Sequence, residues 1–178
     1  MINRLQPNDL PLIVAWKIGA INHQDSEREQ DIVYENQFGQ NLQLRAHYGT
    51  INAVPIINYC ENNFNELLLT DNAEEKLNLL YDNRGEGCRF GRVYCHALEY
   101  FFTQGEWPIY DKYADVALDS IISDKPTNSR VEYRAINNWT EYIHFVDKVR
   151  QVFGTRSISR NIDRVLWVYG HFFDIITM

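Results

Sequence analysis

Helical signals dominate this chain from residue 60 onward and constrain its fold more than any other feature. Two capping patterns, Asp71-Asn-Ala-Glu74 and Asn138-Trp-Thr-Glu141, each precede apolar residues at helical spacing. They predict helices that end near Tyr81 and near Phe153, the second of them stopped by Gly154. Apolar spacing predicts further helices over residues 91–104, 111–122 and 159–173, with shorter ones over 10–18 and 64–69. The residues expected to face inward are Val93, Ala97, Leu98 and Phe101 in the helix over 91–104, and Ile162, Val165, Leu166, Tyr169 and Phe172 in the helix over 159–173.

Strand alternation is scarce. Residues 20–55 are polar and acidic at first, and residues 43–48 alternate enough to allow one short strand. The polar loop 125–129 marks the expected crease between two lobes. The sequence therefore predicts one all-α domain over 1–178. It would be a two-lobed helical bundle with its crease near 123–130, and with room for a small irregular or β insertion in the N-terminal third.

The composition is that of a globular protein. A chain of 178 residues, 45% hydrophobic and 13% aromatic, is long enough to bury a sizeable core. No apolar run reaches the roughly 18 residues of a membrane span, and the N-terminus lacks a basic-then-apolar signal peptide. We therefore expect a cytoplasmic protein with no membrane partner.

The three cysteines, Cys60, Cys88 and Cys95, show no C-x-x-C spacing. Neither a disulfide framework nor a four-ligand zinc site is indicated. A metal site built from Cys88, Cys95 and His96 would lack its fourth ligand. We therefore expect buried thiols, no metal and no cofactor.

The charge is unevenly distributed. A net charge of −7 argues against a protein whose whole surface binds nucleic acid. Residues 1–80 hold 5 Lys/Arg against 11 Asp/Glu, so the acidic N-terminal third leaves a protein partner open. Residues 148–164 hold five basic residues opposed only by Asp163, which allows either a local basic face or a solvated helix surface.

The segment 84–118 contains the residues best suited to chemistry. A glycine-rich turn over residues 84–92 is followed by a helical stretch and then by Trp107-Pro-Ile-Tyr-Asp111. Glycines accept positive φ and let backbone N–H groups approach an anion, and the arginines of the turn supply positive charge. Asp111 stands where a helix should begin, next to free N–H groups. The segment therefore predicts an anion-binding turn and a fixed carboxylate.

This order of parts resembles the helix-hairpin-helix DNA glycosylases, the superfamily that includes the 8-oxoguanine DNA glycosylases. In that family a Gly-x-Gly hairpin grips a DNA backbone, and a Pro-x-Asp type segment brings the essential aspartate to the next helix. The resemblance implies two helical lobes, a duplex partner with a damaged or modified base, and Asp111 as the catalytic residue. The DNA-binding residues that it implies are Arg84, Gly85, Gly87, Arg89 and Arg92.

The resemblance also implies a mechanism. Cleavage of an N-glycosidic bond leaves positive charge on the deoxyribose, which a fixed carboxylate stabilises. Bifunctional members use a lysine two residues past the second hairpin glycine, where this chain has Arg89, and a guanidinium cannot form a Schiff base. We therefore expect a monofunctional glycosylase that uses water. Trp107 and Tyr110 are the candidates for a flipped-base pocket, while the C-terminal aromatic residues are assigned to the core.

Two other interpretations remain open. A catalytically inactive relative would serve as a nucleic-acid-binding or protein-interaction module, such as an accessory of a bacterial or phage defence system. An unrelated helical interaction protein would carry the turn by coincidence and use Asp111 only as a helix cap. Arg89 and the acidic total charge favour the inactive relative, whereas the placement of Asp111 favours the enzyme.

Overall fold

A computed structural model describes residues 5–17, 32–35, 41–44, 53–86, 90–124 and 136–176. Within these residues the fold is predominantly helical, as predicted, with one β-hairpin. The chain divides into two compact units, Met1–Phe102 and Thr103–Met178. The crease expected near 123–130 stays a prediction, because most of it lies outside the described residues. No helix in the described part of the chain is long and apolar enough to cross a membrane.

The first unit contains five of the described helices and the hairpin. Strands β1 (Ile32–Glu35) and β2 (Asn41–Leu44) pair antiparallel, so the expected insertion is a hairpin. The strand predicted over 43–48 overlaps β2 only at residues 43 and 44. After a 3-10 turn at Pro7–Asp9, the helices are α1 (Leu10–Lys17), α2 (Val54–Asn62), α3 (Phe64–Leu69), α4 (Ala73–Asp82) and α5 (Arg92–Phe102).

Local signals explain two of the helix starts in this unit. The side chain of Asn72 caps α4 by accepting a hydrogen bond from the backbone N–H of Glu75 at 3.2 Å. The cap therefore lies one residue later than the predicted Asp71. The sequence does not predict α2, although Pro55 in its first turn is a residue that favours helix starts.

Packing in the first unit centres on α5. Helices α1 and α4 pack against α5, and α2 packs against α1, α3 and α4. On α5 the predicted inward residues Ala97 and Leu98 are buried, whereas Val93 and Phe101 are half-buried. Residues 95–100 are all buried, so the middle of α5 is enclosed on every side, and apolar spacing alone does not locate one buried side.

The second unit contains α6 (Lys112–Ser123), α7 (Trp139–Phe153) and α8 (Arg160–Ile176), with α6 packed against both others. The predicted limits of α7 are confirmed. Asn138 accepts a hydrogen bond from the backbone N–H of Glu141 at 2.9 Å, and Gly154 ends the helix with φ of +71°. In α8, Gly170 lies against the backbone of Tyr113, where a Cβ would overlap with a carbonyl oxygen.

One side of α8 is apolar and exposed. The prediction that α8 buries Val165 and Tyr169 is wrong, since these side chains are 66% and 41% exposed. The core assignment of Trp167 is also wrong, because it is 43% exposed, while the side chain of Phe173 lies outside the described part of the chain. The buried side of α8 holds Leu166, as predicted, together with Asp163 and Gly170.

Candidate functional site

The turn that follows α4 is built around Gly85. Its φ is +94°, in the left-handed region that glycine accepts, so the predicted positive φ is confirmed here. A Cβ at this position would overlap with the ring of Pro55 in α2. Gly91 does not have a positive φ. The other two predicted turn residues, Gly87 and Arg89, lie outside the described residues.

Arg84 and Arg92 both place their guanidinium groups over the ring of Tyr81. The Cζ atoms of Arg84 and Arg92 lie 3.6 Å and 4.2 Å from the ring centroid. Arg84 also donates a hydrogen bond to the carbonyl oxygen of Tyr81, and Nη1 of Arg92 donates to Oδ1 of Asn78 at 3.2 Å. Two of the predicted DNA-binding arginines are therefore brought together, by a tyrosine that the sequence analysis did not single out.

Arg92 has the properties of a cation that can bind an anion. Among the described residues it has no carboxylate partner, and the residue is only half-buried. It is also the first residue of α5, where free backbone N–H groups add partial positive charge. The turn thus offers positive charge and hydrogen-bond donors to an anion at the end of a helix.

Asp111 caps α6, as predicted. Its backbone is extended, and Oδ1 accepts a hydrogen bond from the backbone N–H of Tyr113 at 2.9 Å. The side chain is half-buried, and Oδ2 has no hydrogen-bond partner among the described residues. One oxygen is therefore fixed by the helix start, and the other, which contacts no donor in the described part of the chain, can face a positively charged group.

The segment that precedes Asp111 is held by α7. The hydroxyl of Tyr142 donates a buried hydrogen bond to the carbonyl oxygen of Pro108 at 2.7 Å. Tyr110 is only 3% exposed and packs edge-on against Phe145, with ring centroids 5.2 Å apart. Such a ring has no face open to a flipped base, so the pocket role expected for Tyr110 is not supported.

Trp107, the other predicted pocket residue, is half-buried among aromatic neighbours. Its ring centroid lies 5.2 Å from that of Trp139 and 6.1 Å from that of Tyr142. The guanidinium carbon of Arg156 lies 4.2 Å from the same centroid, and Arg156 forms an ion pair with Glu106. A cation placed in this way is worth about 0.5–1 kcal/mol at an exposed site. No sequence signal links Arg156 to Trp107.

Lys148 of α7 is held as a cation. Lys148 Nζ lies 2.7 Å from Oδ1 of Asp115 and 2.7 Å from Oδ1 of Asp119. Burial alone would lower the pKa of Lys148, but the hydrogen bonds to the two carboxylates outweigh it and raise the pKa. The Nζ of Lys112 lies 4.5 Å from the ring centroid of Tyr113. A protonated amine cannot attack a sugar carbon, so the surroundings of Lys148 do not favour Schiff-base chemistry.

Metal-binding residues do not cluster in the described part of the chain. No group of three or more His, Cys, Asp or Glu side chains there could hold a metal ion. Cys60 and Cys95 are buried free thiols, as predicted, whereas Cys88 lies outside the described residues. Burial raises the pKa of Cys60 well above its usual value, which keeps it a thiol.

A group of buried ionisable residues in the first unit was not expected from the sequence. His96 and Glu99 are completely buried, while Lys76 and Glu61 are 3% and 7% exposed. Burial lowers the pKa of His96 to about 3 and raises the pKa of Glu99 to about 8, the latter against the opposing charge of Lys76. The one available signal is the three-residue spacing that puts His96 and Glu99 on the same side of α5.

Comparison with known proteins adds no constraint on the turn of the first unit or on the segment before Asp111 in the second unit. The chain matches no family model, no curated protein and no solved structure. The function must therefore be inferred from the residues of the turn and of the segment that leads to Asp111.

Proposed function

We propose that this protein is a cytoplasmic, helix-hairpin-helix type DNA glycosylase that binds duplex DNA through residues 84–92. Asp111 would then assist hydrolysis of the N-glycosidic bond of a flipped base. The observation that carries the proposal is the placement of Asp111. Its carboxylate lies at a helix start, with one oxygen fixed by Tyr113 and the other without a partner among the described residues.

The chemistry follows from that placement. As the bond to the base breaks, positive charge develops on the deoxyribose, and a carboxylate already fixed in position stabilises it without reorganising. The second oxygen of Asp111 can accept a proton from the attacking water. The hydrogen bond between Tyr142 and Pro108 supports this role, because it restrains the segment that leads to the carboxylate.

Duplex binding is supported by the arginines of the turn. Arg84 and Arg92 converge on Tyr81, and Gly85 adopts the backbone conformation expected of a tight turn. Contacts of arginine with phosphates provide affinity and position the protein on the duplex without reading sequence. A local site of this kind is compatible with the acidic total charge.

Water is the proposed nucleophile. The position that carries a lysine in bifunctional glycosylases is Arg89 in this sequence. Lys148 is paired with two carboxylates, which keeps its amine protonated. Trp107 is the residue retained for a base pocket, and a bound base would have to share its ring with Arg156 or displace it.

The second candidate is a catalytically inactive relative that acts as a nucleic-acid-binding or protein-interaction module. It is favoured by the exposed apolar side chains of α8, among which Val165 and Val168 are 66% and 60% exposed. Large outward apolar side chains are more typical of interaction surfaces than of monomeric enzymes.

The experiment that separates these candidates is a base-release screen. The protein is incubated with duplexes that carry single oxidised, deaminated or alkylated bases, and alkali then cleaves any abasic site. Strand cleavage that depends on the protein supports the glycosylase. Duplex binding without base release from any substrate supports the inactive relative.

A further inference from the structure

The ring of Tyr81 organises the two arginines of the turn. We infer that Tyr81 is a positioning residue that aligns Arg84 and Arg92 on a single phosphate of the DNA backbone. This inference rests on the proposed function, since it concerns the same DNA-binding turn. The inference adds two points to that proposal. Tyr81 acts without touching DNA, and Arg84 and Arg92 together bind one phosphate.

The two arginines reach Tyr81 from different elements. Arg84 follows α4 and folds back onto the residue three positions before it, where its side chain donates to the carbonyl oxygen of Tyr81. Arg92 opens α5 and is steadied by Oδ1 of Asn78. Like charges repel each other, so their convergence needs a compensating attraction. The ring supplies it, at about 0.5–1 kcal/mol for each exposed cation–π contact.

The spacing of the two groups suits one phosphate. With each guanidinium carbon close to the same ring centroid, the two carbons lie less than about 8 Å apart. A phosphate that reaches both guanidinium groups can accept hydrogen bonds from each, because several of its oxygens are acceptors. Free N–H groups at the start of α5 add partial positive charge beside Arg92.

The salt dependence of duplex binding tests this geometry. Each phosphate that the protein neutralises contributes about 0.9 to the slope of log K against log salt concentration. Fluorescence anisotropy with a labelled duplex measures this slope for the wild type and for the Arg84→Gln/Arg92→Gln double variant. If the two arginines share one phosphate, the slope of the double variant should be smaller in magnitude than the wild-type slope by about 0.9. If each arginine binds its own phosphate, the difference should be about 1.8.

Variants of Tyr81 test the positioning role. Tyr81→Phe keeps the ring, so we expect the wild-type slope and affinity within about twofold. Tyr81→Leu removes the ring, and we expect it to reproduce the slope of the double arginine variant. A purely structural role for Tyr81 would lower the melting temperature without changing the slope. If Tyr81→Leu does not fold, Tyr81→Met replaces it as a flexible side chain without a ring.

The outcomes distinguish this inference from the proposed function. A slope loss of about 1.8 in the double variant, or a wild-type slope in the folded ring-free variant, overturns the inference. A wild type that binds no duplex overturns both. Duplex binding with the expected slopes but without base release rejects the glycosylase and leaves the inference standing.

Discussion

Nδ1 of His96 lies 3.7 Å from Oε2 of Glu99, and both side chains are completely buried in the first unit. Burial lowers the pKa of His96 to about 3, with Lys17 and Arg92 acting in the same direction. Burial raises the pKa of Glu99 to about 8. At neutral pH the pair is therefore mostly an uncharged imidazole beside a protonated carboxyl group, and its contribution to stability depends on pH.

The sign of that dependence follows from proton binding. Between pH 4.5 and about 8 the folded chain keeps a proton on Glu99 that the unfolded chain has lost, so Glu99 makes stability fall as pH rises. Between about pH 3 and 6.5 the unfolded chain binds the extra proton on His96, so His96 makes stability rise with pH. The two effects oppose each other between pH 4.5 and 6.5, and above pH 6.5 the fall due to Glu99 is the one that remains of the two.

Glu99→Gln is therefore expected to flatten the pH dependence of stability above pH 6.5. Each such group can contribute a slope of at most about 1.4 kcal/mol per pH unit. Urea unfolding of the wild type and the variant at several values from pH 6.5 to 8 measures the difference. His96→Gln is the matched control, and its stability should still fall as pH rises above 6.5. If the unfolding free energies of the wild type and Glu99→Gln change equally with pH, the raised pKa of Glu99 is contradicted.

Gly170→Ala is expected to destabilise the second unit. Alanine would gain about 1 kcal/mol of helix propensity over glycine. Its Cβ would, however, overlap with the backbone carbonyl of Tyr113, which cannot rotate away. We expect a net loss of about 1–3 kcal/mol in chemical denaturation. Val168→Ala on the exposed side of α8 should change stability by less than about 0.5 kcal/mol. Equal effects of the two substitutions would show that α6 and α8 do not approach at Gly170.

Two substitutions of Asp111 separate its capping role from its proposed catalytic role. Asparagine caps helices about as well as aspartate, so Asp111→Asn should keep the unfolding free energy within about 0.5 kcal/mol. Asp111→Ala removes the acceptor for the N–H of Tyr113 and should cost about 1 kcal/mol. Thermal and urea unfolding measure both values. A large stability loss in Asp111→Asn would mean that the charge itself stabilises α6.

Borohydride should trap no covalent adduct between this protein and a duplex that contains an abasic site. A Schiff base requires a neutral amine, and Lys148 is protonated between Asp115 and Asp119. Denaturing gel electrophoresis after reduction detects such an adduct, and a bifunctional glycosylase serves as the positive control. A trapped species that is lost in a lysine variant would show that the protein uses an amine nucleophile.

Helix ends could be predicted because caps depend on residues that are neighbours in the chain. Asn138 and Gly154 both act at the ends of α7 as the sequence indicates, and Asp111 does so at the start of α6. The cap of α4, which lies one residue later than predicted, also depends on neighbouring residues. Asp71 and Asn72 both carry acceptor side chains, and the geometry of the first turn selects Asn72.

Contacts between distant residues could not be predicted. The apolar residues of α8 occupy more than one side of the helix, so periodicity did not determine that Leu166 would be buried and Val165 exposed. In the same way, nothing near Arg156 in the chain indicates that it lies over Trp107. Such pairs depend on how elements pack, which local sequence patterns do not specify.

The rate of base release by the wild type and by Asp111→Asn tests the central claim most directly. It is measured under single-turnover conditions on the duplex that gives the strongest cleavage in the screen. We expect the folded Asp111→Asn protein to bind that duplex with wild-type affinity and to release the base at least about 100-fold more slowly. Equal rates for the two proteins, or no release by the wild type from any duplex, would contradict the glycosylase assignment.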